Sequence, residues 1–166
     1  MYKIEENIYA KDTGVYGISL FAKRDFKKGE IVFIAFGPIV TEPTLYTIPV
    51  SYNKTAPGHL LFIDPQVPDG NLSQYICHSC EPNMSIKNRT LFVAMRDIIK
   101  DVEVTIDYAM IVPAFECPTG GEVAWEGRKC LCGRPICRRT VQDYSELSTR
   151  KKNEYDGYIS DFITEN

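Results

Sequence analysis

Six prolines, Pro38, Pro43, Pro49, Pro57, Pro65 and Pro68, fall within one short stretch of the chain. Each fixes its own φ, lacks an amide donor and pushes the residue before it out of the helical region. No long helix can cross that stretch, so loops are expected there. On either side, short apolar runs alternate with turn residues. Residues 18–22 and 31–36 read as strands, with Phe26-Lys27-Lys28-Gly29-Glu30 as the turn between them. Residues 60–63, 90–96 and 102–106 are three further strand candidates, rich in Val, Ile and Phe. Asn71 is placed to cap one short helical turn through Tyr75. Beyond Thr140 the chain has no proline, and Tyr144, Leu147, Tyr155, Tyr158 and Phe162 recur at a partly helical spacing. One or two terminal helices are expected there. The fold class is therefore mainly β with short helices.

Length and composition set the class of molecule. A chain of 166 residues with 44% hydrophobic and 25% charged residues suits one globular domain with a core. Its longest apolar runs, 31–37 and 91–95, are far too short to span a bilayer, so no membrane partner is expected. Residues 1–7 are polar and acidic and lack the basic-then-apolar pattern of a secretory signal. An intracellular location is expected, cytoplasmic or, in a eukaryote, nuclear. The net charge of −3 lacks the basic excess that drives duplex binding, so nucleic acid is not an expected partner. A mildly acidic surface is compatible with a basic peptide.

The chain holds six cysteines. Without a signal peptide, and with enough residues to build a core, metal binding or catalysis is the better reading than disulfides. Cys130, Cys132 and Cys137 form C-x-C-x4-C, with Gly133 and Pro135 at the turns that converging thiolates require. Three thiolates leave a tetrahedral site incomplete, and Cys80 is the natural fourth; the bland alternative is small buried residues or free thiols. Cys77-His78-Ser79-Cys80-Glu81-Pro82-Asn83, taken alone, suits a nucleophilic site, a metal site or a packed turn. Residues 103–108 alternate as a half-buried strand should, and end in Asp107-Tyr108. Alone, that tyrosine reads as a core residue with its hydroxyl at the surface.

In order and spacing these segments resemble the SET-domain family of protein-lysine methyltransferases. Gly17-Ile18-Ser19-Leu20-Phe21-Ala22 followed by Lys28-Gly29-Glu30 is similar to the family's N-terminal signature, G-x-G-[VL]-F-A and then K-G-E. Residues 77–83 resemble its N-H-S-C-x-P-N signature and residues 103–108 its E-L-x-x-D-Y signature. Cys130, Cys132 and Cys137 match its post-SET C-x-C-x4-C. The resemblance covers residues 14–139.

It implies a β-clip-like arrangement of small curved sheets, with residues 77–83 threaded under a loop as a pseudoknot, a post-SET zinc knuckle and a C-terminal helical tail. The implied division is a SET domain over 1–112, a linker and post-SET segment over 113–139, and the tail over 140–166. S-adenosylmethionine would lie against Gly17, Ile18 and Ser19, held by Cys77 and the backbone of His78, with Tyr75 and Leu131 lining the same pocket. Tyr108 would stand at the point of methyl transfer. One structural Zn²⁺ would bind Cys80, Cys130, Cys132 and Cys137, and the partner would be a protein or peptide carrying a lysine. The sequence leaves the oligomeric state open.

Two positions depart from the family pattern. Cys77 stands where the family has Asn and cannot offer a carboxamide's donor and acceptor. Ser19 stands where the family has a second Gly, and its Cβ is expected to crowd the cofactor. These departures keep open an alternative, a zinc-stabilised SET fold with weak or lost catalysis that binds peptides. Asp101 occupies a turn position where the family tends to have Gly, and Asp tolerates left-handed geometry. Ile86 and Ile106 are expected beside the lysine channel, where neither could hold a water, which would let the enzyme go past the first methyl. His59 and Cys117 have no assigned role. Trp125 is expected to anchor the C-terminal appendage, and Arg138, Arg139, Lys151 and Lys152 to form a solvated face.

Overall fold

The computed structural model describes residues 6–56, 60–67, 71–113 and 127–164. Ten strands are present among them: β1 (Ile8–Asp12), β2 (Ile18–Ala22), β3 (Ile31–Ile34), β4 (Ile39–Val40), β5 (Ile48–Tyr52), β6 (Leu60–Ile63), β7 (Cys77–His78), β8 (Met84–Lys87), β9 (Leu91–Ala94) and β10 (Glu103–Ile106). They form three small sheets, ordered β1-β2-β10-β7, β3-β9-β8 and β4-β6-β5. The helices are short, with α1 spanning Thr149–Glu154 and α2 spanning Asp161–Thr164.

Alternation in the sequence becomes alternation of face. In β2, Leu20 and Ala22 are buried, and in β10 Val104 and Ile106 are fully buried. Val104 pairs with Leu20 across the sheet, which puts both strands' apolar faces into one core. Phe33 and Phe92 stack at 4.6 Å in the second sheet, beside fully buried Met84 and Ile86. Phe26 enters the core from the turn before β3 and is pinned by a bridge to Ile98. Asp101 sits at φ 65, the left-handed geometry expected of it.

The proline-rich stretch is not all loop. It holds β4, β5 and β6, a three-stranded antiparallel sheet. Pro49 lies inside β5, but β5 is an edge strand and its register slips between Pro49 and Ser51. An edge and a bulge are the places where a missing amide donor is tolerated. Asn71 caps the 3-10 turn Leu72–Tyr75 as expected, accepting from the Ser73 amide while donating to the Phe36 carbonyl at 2.7 Å.

The sheets place the chemistry-bearing segments side by side. β7 runs parallel to β10, pairing Cys77 with Thr105 and His78 with Ile106. The Ser79 amide then continues the ladder to the Ile106 carbonyl. Asn83 fixes the crossing, donating to the Glu103 carbonyl at 2.8 Å and accepting from the Thr105 amide at 3.0 Å. The tail is held against this body rather than standing apart as long helices. Tyr155 is fully buried, the Ser160 amide bonds the Met110 carbonyl, and Phe162 meets the Tyr52 ring edge-on at 5.6 Å. No helix among the described residues is long and apolar enough to cross a membrane.

Candidate active site

Where β10 ends, Asp107 caps a 3-10 turn, Tyr108–Met110, by accepting from the Ala109 amide at 3.1 Å. Asp107 is fully buried and saturated with donors. Arg138 meets it with two guanidinium nitrogens at 2.6 and 2.7 Å, and Tyr155 donates its hydroxyl at 2.9 Å. A buried bidentate pair of this kind fixes geometry, and removing either partner strands a charge. Arg138 is thus a buried anchor and not part of a solvated face. Its side chain is 15% exposed, because the knuckle turns it inward onto Asp107.

The anchored turn presents Tyr108 to two cavities at once. One is a cleft of about 390 Å³ lined by Tyr16, Cys77, His78, Tyr108, Cys130, Leu131 and Cys132, with Arg128, Lys129 and Val141 completing its wall. That volume falls in the range of small-molecule sites. The other is a slot of about 40 Å³, walled by Leu45, Ile48, Pro49, Ile76, Ile111 and Val112 among others. The Tyr108 hydroxyl donates to the Ile76 carbonyl at 2.8 Å, and burial pushes its pKa well above the ordinary phenol value. It is a neutral donor at any physiological pH.

Of the residues expected at the cofactor, Cys77, His78 and Leu131 line the cleft with Tyr108. Gly17, Ile18, Ser19 and Tyr75 are not among its lining residues. Gly17 adopts φ 93, which needs glycine, and space is open where a Cβ would stand. Ser19 faces inward in β2 and is fully buried. Its hydroxyl lies beside the Cys77 thiol but makes no hydrogen bond of good geometry. Cys77 itself donates to the Ile18 carbonyl at 3.5 Å, and burial raises its pKa, so it remains a thiol. Ile86 and Ile106 are fully buried and line neither the cleft nor the slot, because both project into the core between the sheets. Neither stands beside the slot, where the sequence placed them.

Cys80, Cys130, Cys132 and Cys137 converge, with all four sulfurs within 4.8 Å of one another and no disulfide among them. Such a cluster can hold a metal ion. Backbone amides already point at the sulfurs: Arg138 N–H at Cys80, Arg139 N–H at Cys137 and Cys132 N–H at Cys130. Burial alone would raise the Cys132 thiol, but surrounding donors, led by the Cys80 and Arg134 amides, bring it down to about 7. His78 bridges this cluster and Tyr108. Its Nε2 lies 3.3 Å from Cys80 Sγ and its Nδ1 accepts the Tyr108 amide at 3.2 Å. Burial pushes His78 down to about 4, so the ring is neutral.

Sequence reasoning missed Tyr16, which precedes Gly17 and donates its hydroxyl to Glu103 at 2.6 Å on the cleft wall. It also missed the Asp107–Arg138–Tyr155 network, whose members lie far apart in the chain. His59, Cys117 and Trp125 lie outside the described residues.

This is the architecture of a small protein with a cleft of small-molecule size, a cysteine cluster that can hold a metal ion and a tyrosine between two cavities. Residues 17–109 match the SET domain, and the chain belongs to the SET-domain family. The chain is 28% identical over 138 residues to the "Histone-lysine N-methyltransferase, H3 lysine-4 specific" of Schizosaccharomyces pombe, covering 75% of this chain and 14% of that protein. It is 29% identical over 156 residues to "Histone-lysine N-methyltransferase ATX2" of Arabidopsis thaliana, covering 85% and 13%. It is 26% identical over 148 residues to "Histone-lysine N-methyltransferase trr" of Drosophila melanogaster, covering 80% and 6%. The chain thus spans a small fraction of each relative's length.

Proposed function

We propose that the protein is an S-adenosylmethionine-dependent N-methyltransferase acting on a lysine side chain of a protein. The observation that carries this reading is the placement of Tyr108, whose ring lines both the cleft and the slot. In-line displacement needs donor and acceptor on opposite sides of one point, and Tyr108 stands at the junction of two cavities. Membership of the SET-domain family and relatives named as histone-lysine methyltransferases support it. The open cleft counts against the alternative of a peptide-binding module whose cofactor site has closed.

When bound, S-adenosylmethionine supplies an electrophilic methyl group on a sulfonium. The chain's own residues do the rest. Cys77, Leu131 and the His78 backbone would hold the cofactor, with Gly17, Ile18, Ser19 and Tyr75 lying outside the lining of the cleft. The slot's apolar residues disfavour a lysine ammonium, so the amine sheds its proton to solvent and enters neutral. Tyr108 and the Ile76 carbonyl orient the amine, and closure around it excludes water, effects worth as much as about 7–11 kcal/mol. The substrate reading stops at a protein lysine. The relatives' names specify histones, and nothing in the slot selects one sequence.

Zinc suits the cluster. Four thiolates held tetrahedrally about 2.3 Å from Zn²⁺ stand about 3.8 Å apart, and Cys80 Sγ lies 3.8 Å from Cys130 Sγ. The zinc is structural. The proposed division is a SET domain over 1–112, a post-SET segment to 139 and a clasping tail over 140–166. Calorimetry with S-adenosylmethionine, followed by mass spectrometry of lysine peptides incubated with both, tests the reading. Saturable one-to-one binding with methyl transfer to lysine is expected. Absence of binding overturns it, and binding without transfer to any lysine leaves the module reading in its place.

A further inference from the structure

We propose that His78 is a positioning residue that ties the four-cysteine cluster to Tyr108, donating from Nε2 to Cys80 sulfur and accepting the Tyr108 amide at Nδ1. The inference rests on the reading of Tyr108 as the transfer residue and of the cluster as a metal site.

The hydrogen-bond inventory fixes the tautomer. The Tyr108 amide can only donate, so the ring nitrogen 3.2 Å away must present a lone pair. Asp107 Oδ1, 3.6 Å from the same nitrogen, is too far for a hydrogen bond and already occupied. A carboxylate offers about four acceptor sites. Those of Asp107 receive two Arg138 nitrogens, the Tyr155 hydroxyl and the Ala109 amide. No capacity remains for a proton on Nδ1. With Nδ1 held as an acceptor by the Tyr108 amide, the ring's proton sits on Nε2, where Cys80 sulfur is 3.3 Å distant.

That contact gains strength when the cluster is loaded. A metal-bound cysteine is an acceptor-only thiolate, and a hydrogen bond to an ionised acceptor is about twice as strong as a neutral one. Partners of metal ligands orient those ligands and tune the site. The ring, with its side chain 6% exposed, also packs edge-on against the Tyr108 ring at 5.3 Å. Arg138 makes a second link from cluster to turn, from its amide on Cys80 and its guanidinium on Asp107. His78 acts on Tyr108's own amide. Metal occupancy thereby sets where the Tyr108 hydroxyl stands.

The first test needs no substitution in the site. The chain has two histidines, so long-range nitrogen–proton NMR of the zinc-loaded protein, with His59→Gln for assignment, reads the His78 tautomer directly. An Nε2–H ring is expected, and an Nδ1–H ring overturns the proposal. Two variants then separate the halves of the bridge. His78→Gln keeps a donor near the Nε2 position, and His78→Asn keeps an acceptor near the Nδ1 position. In His78→Asn, zinc affinity in chelator competition is expected to fall about tenfold to a hundredfold, with the Tyr108 amide still protected from hydrogen exchange. In His78→Gln, zinc retention is expected to stay near wild type while Tyr108 amide protection is lost. With zinc in excess, its kcat should fall further than that of His78→Asn. Identical behaviour of the two variants in zinc retention and amide protection overturns the bridge. Wild-type protein without lysine methyl transfer overturns the functional reading alone, because tautomer, zinc retention and amide exchange still decide the role of His78.

Discussion

The Tyr108 hydroxyl makes a hydrogen bond that has two consequences. It donates to the buried Ile76 carbonyl, which anchors the ring and leaves the oxygen's lone pairs toward the cavities. Tyr108→Phe strands that carbonyl at a cost of about 1 kcal/mol of stability. Misplacing a reacting group by losing a contact that orients it can cost about a hundredfold in rate. Turnover should therefore fall by about a hundredfold with cofactor affinity nearly unchanged; a variant that loses affinity but not kcat would reassign Tyr108 to packing. Cys77 offers the opposite experiment. Its thiol is a weak donor to the Ile18 carbonyl, and the buried Ser19 hydroxyl beside it makes no hydrogen bond of good geometry among the described residues. Cys77→Asn brings a stronger donor for Ile18 and an acceptor for Ser19. Cofactor binding should tighten about fivefold, the value of one modest hydrogen bond of about 1 kcal/mol. Calorimetry showing unchanged or weaker binding would mean that Cys77 already serves the cleft as well as a carboxamide could.

Among the elements, legibility tracked the period of the apolar pattern. β2, β3, β6 and β9 each carry consecutive Val, Ile, Leu or Phe, β10 alternates Val104 and Ile106 with polar residues, and all five were readable, to within two residues at their ends. β1 and β8 were not, since Ile8–Asp12 and Met84–Lys87 mix charges with apolar residues and are strands because they pair with β2 and β9. β4 and β5 were masked by prolines that the sheet places at an edge and a bulge. The cysteine cluster and Tyr108 were legible because short motifs carry them. Tyr16, Arg138 and Tyr155 were not, because only the tertiary fold brings them to Glu103 and Asp107. One glycine illustrates what sequence alone cannot show. A Cβ on Gly37 would run into the Asp64 carbonyl at the β4–β6 junction. Since both partners are backbone, neither can step aside. Gly37→Ala should cost about 1–3 kcal/mol, the range for overpacking, read as a lower urea midpoint; an unchanged midpoint would mean that the junction relaxes freely.

At the scale of the whole molecule, the cleft is not a property of the sheets alone. β7 and the Tyr108 turn supply one wall through Cys77, His78 and Tyr108, while the cysteine segment supplies the other through Cys130, Leu131 and Cys132. That second wall has little regular structure of its own. Between Lys129 and Thr140 its only ladder contact among the described residues is a single bridge, and Leu131 is half exposed. What gathers it is the convergence of Cys130, Cys132 and Cys137 on Cys80, which follows the opposite wall's Cys77 and His78 in the chain. A metal ion at that point closes a loop of about fifty residues, and most of its binding free energy becomes ordering of the segment. Stripping the metal with a chelator should then act on the two walls unequally. Cys80 and Cys130 are buried with the core, but Leu20, Phe33, Phe92 and Val104 join the sheets through apolar side chains, and the sheets should keep their far-ultraviolet dichroism. The cysteine wall should loosen and expose Leu131 further. The tail should loosen with it, because Arg138 and Tyr155 meet on Asp107. Cofactor affinity should drop at least tenfold while the sheets remain folded, and re-addition of Zn²⁺ should restore it. Full cofactor affinity in metal-free protein would show that protein contacts alone hold the second wall, and that the four thiolates serve stability rather than the cleft.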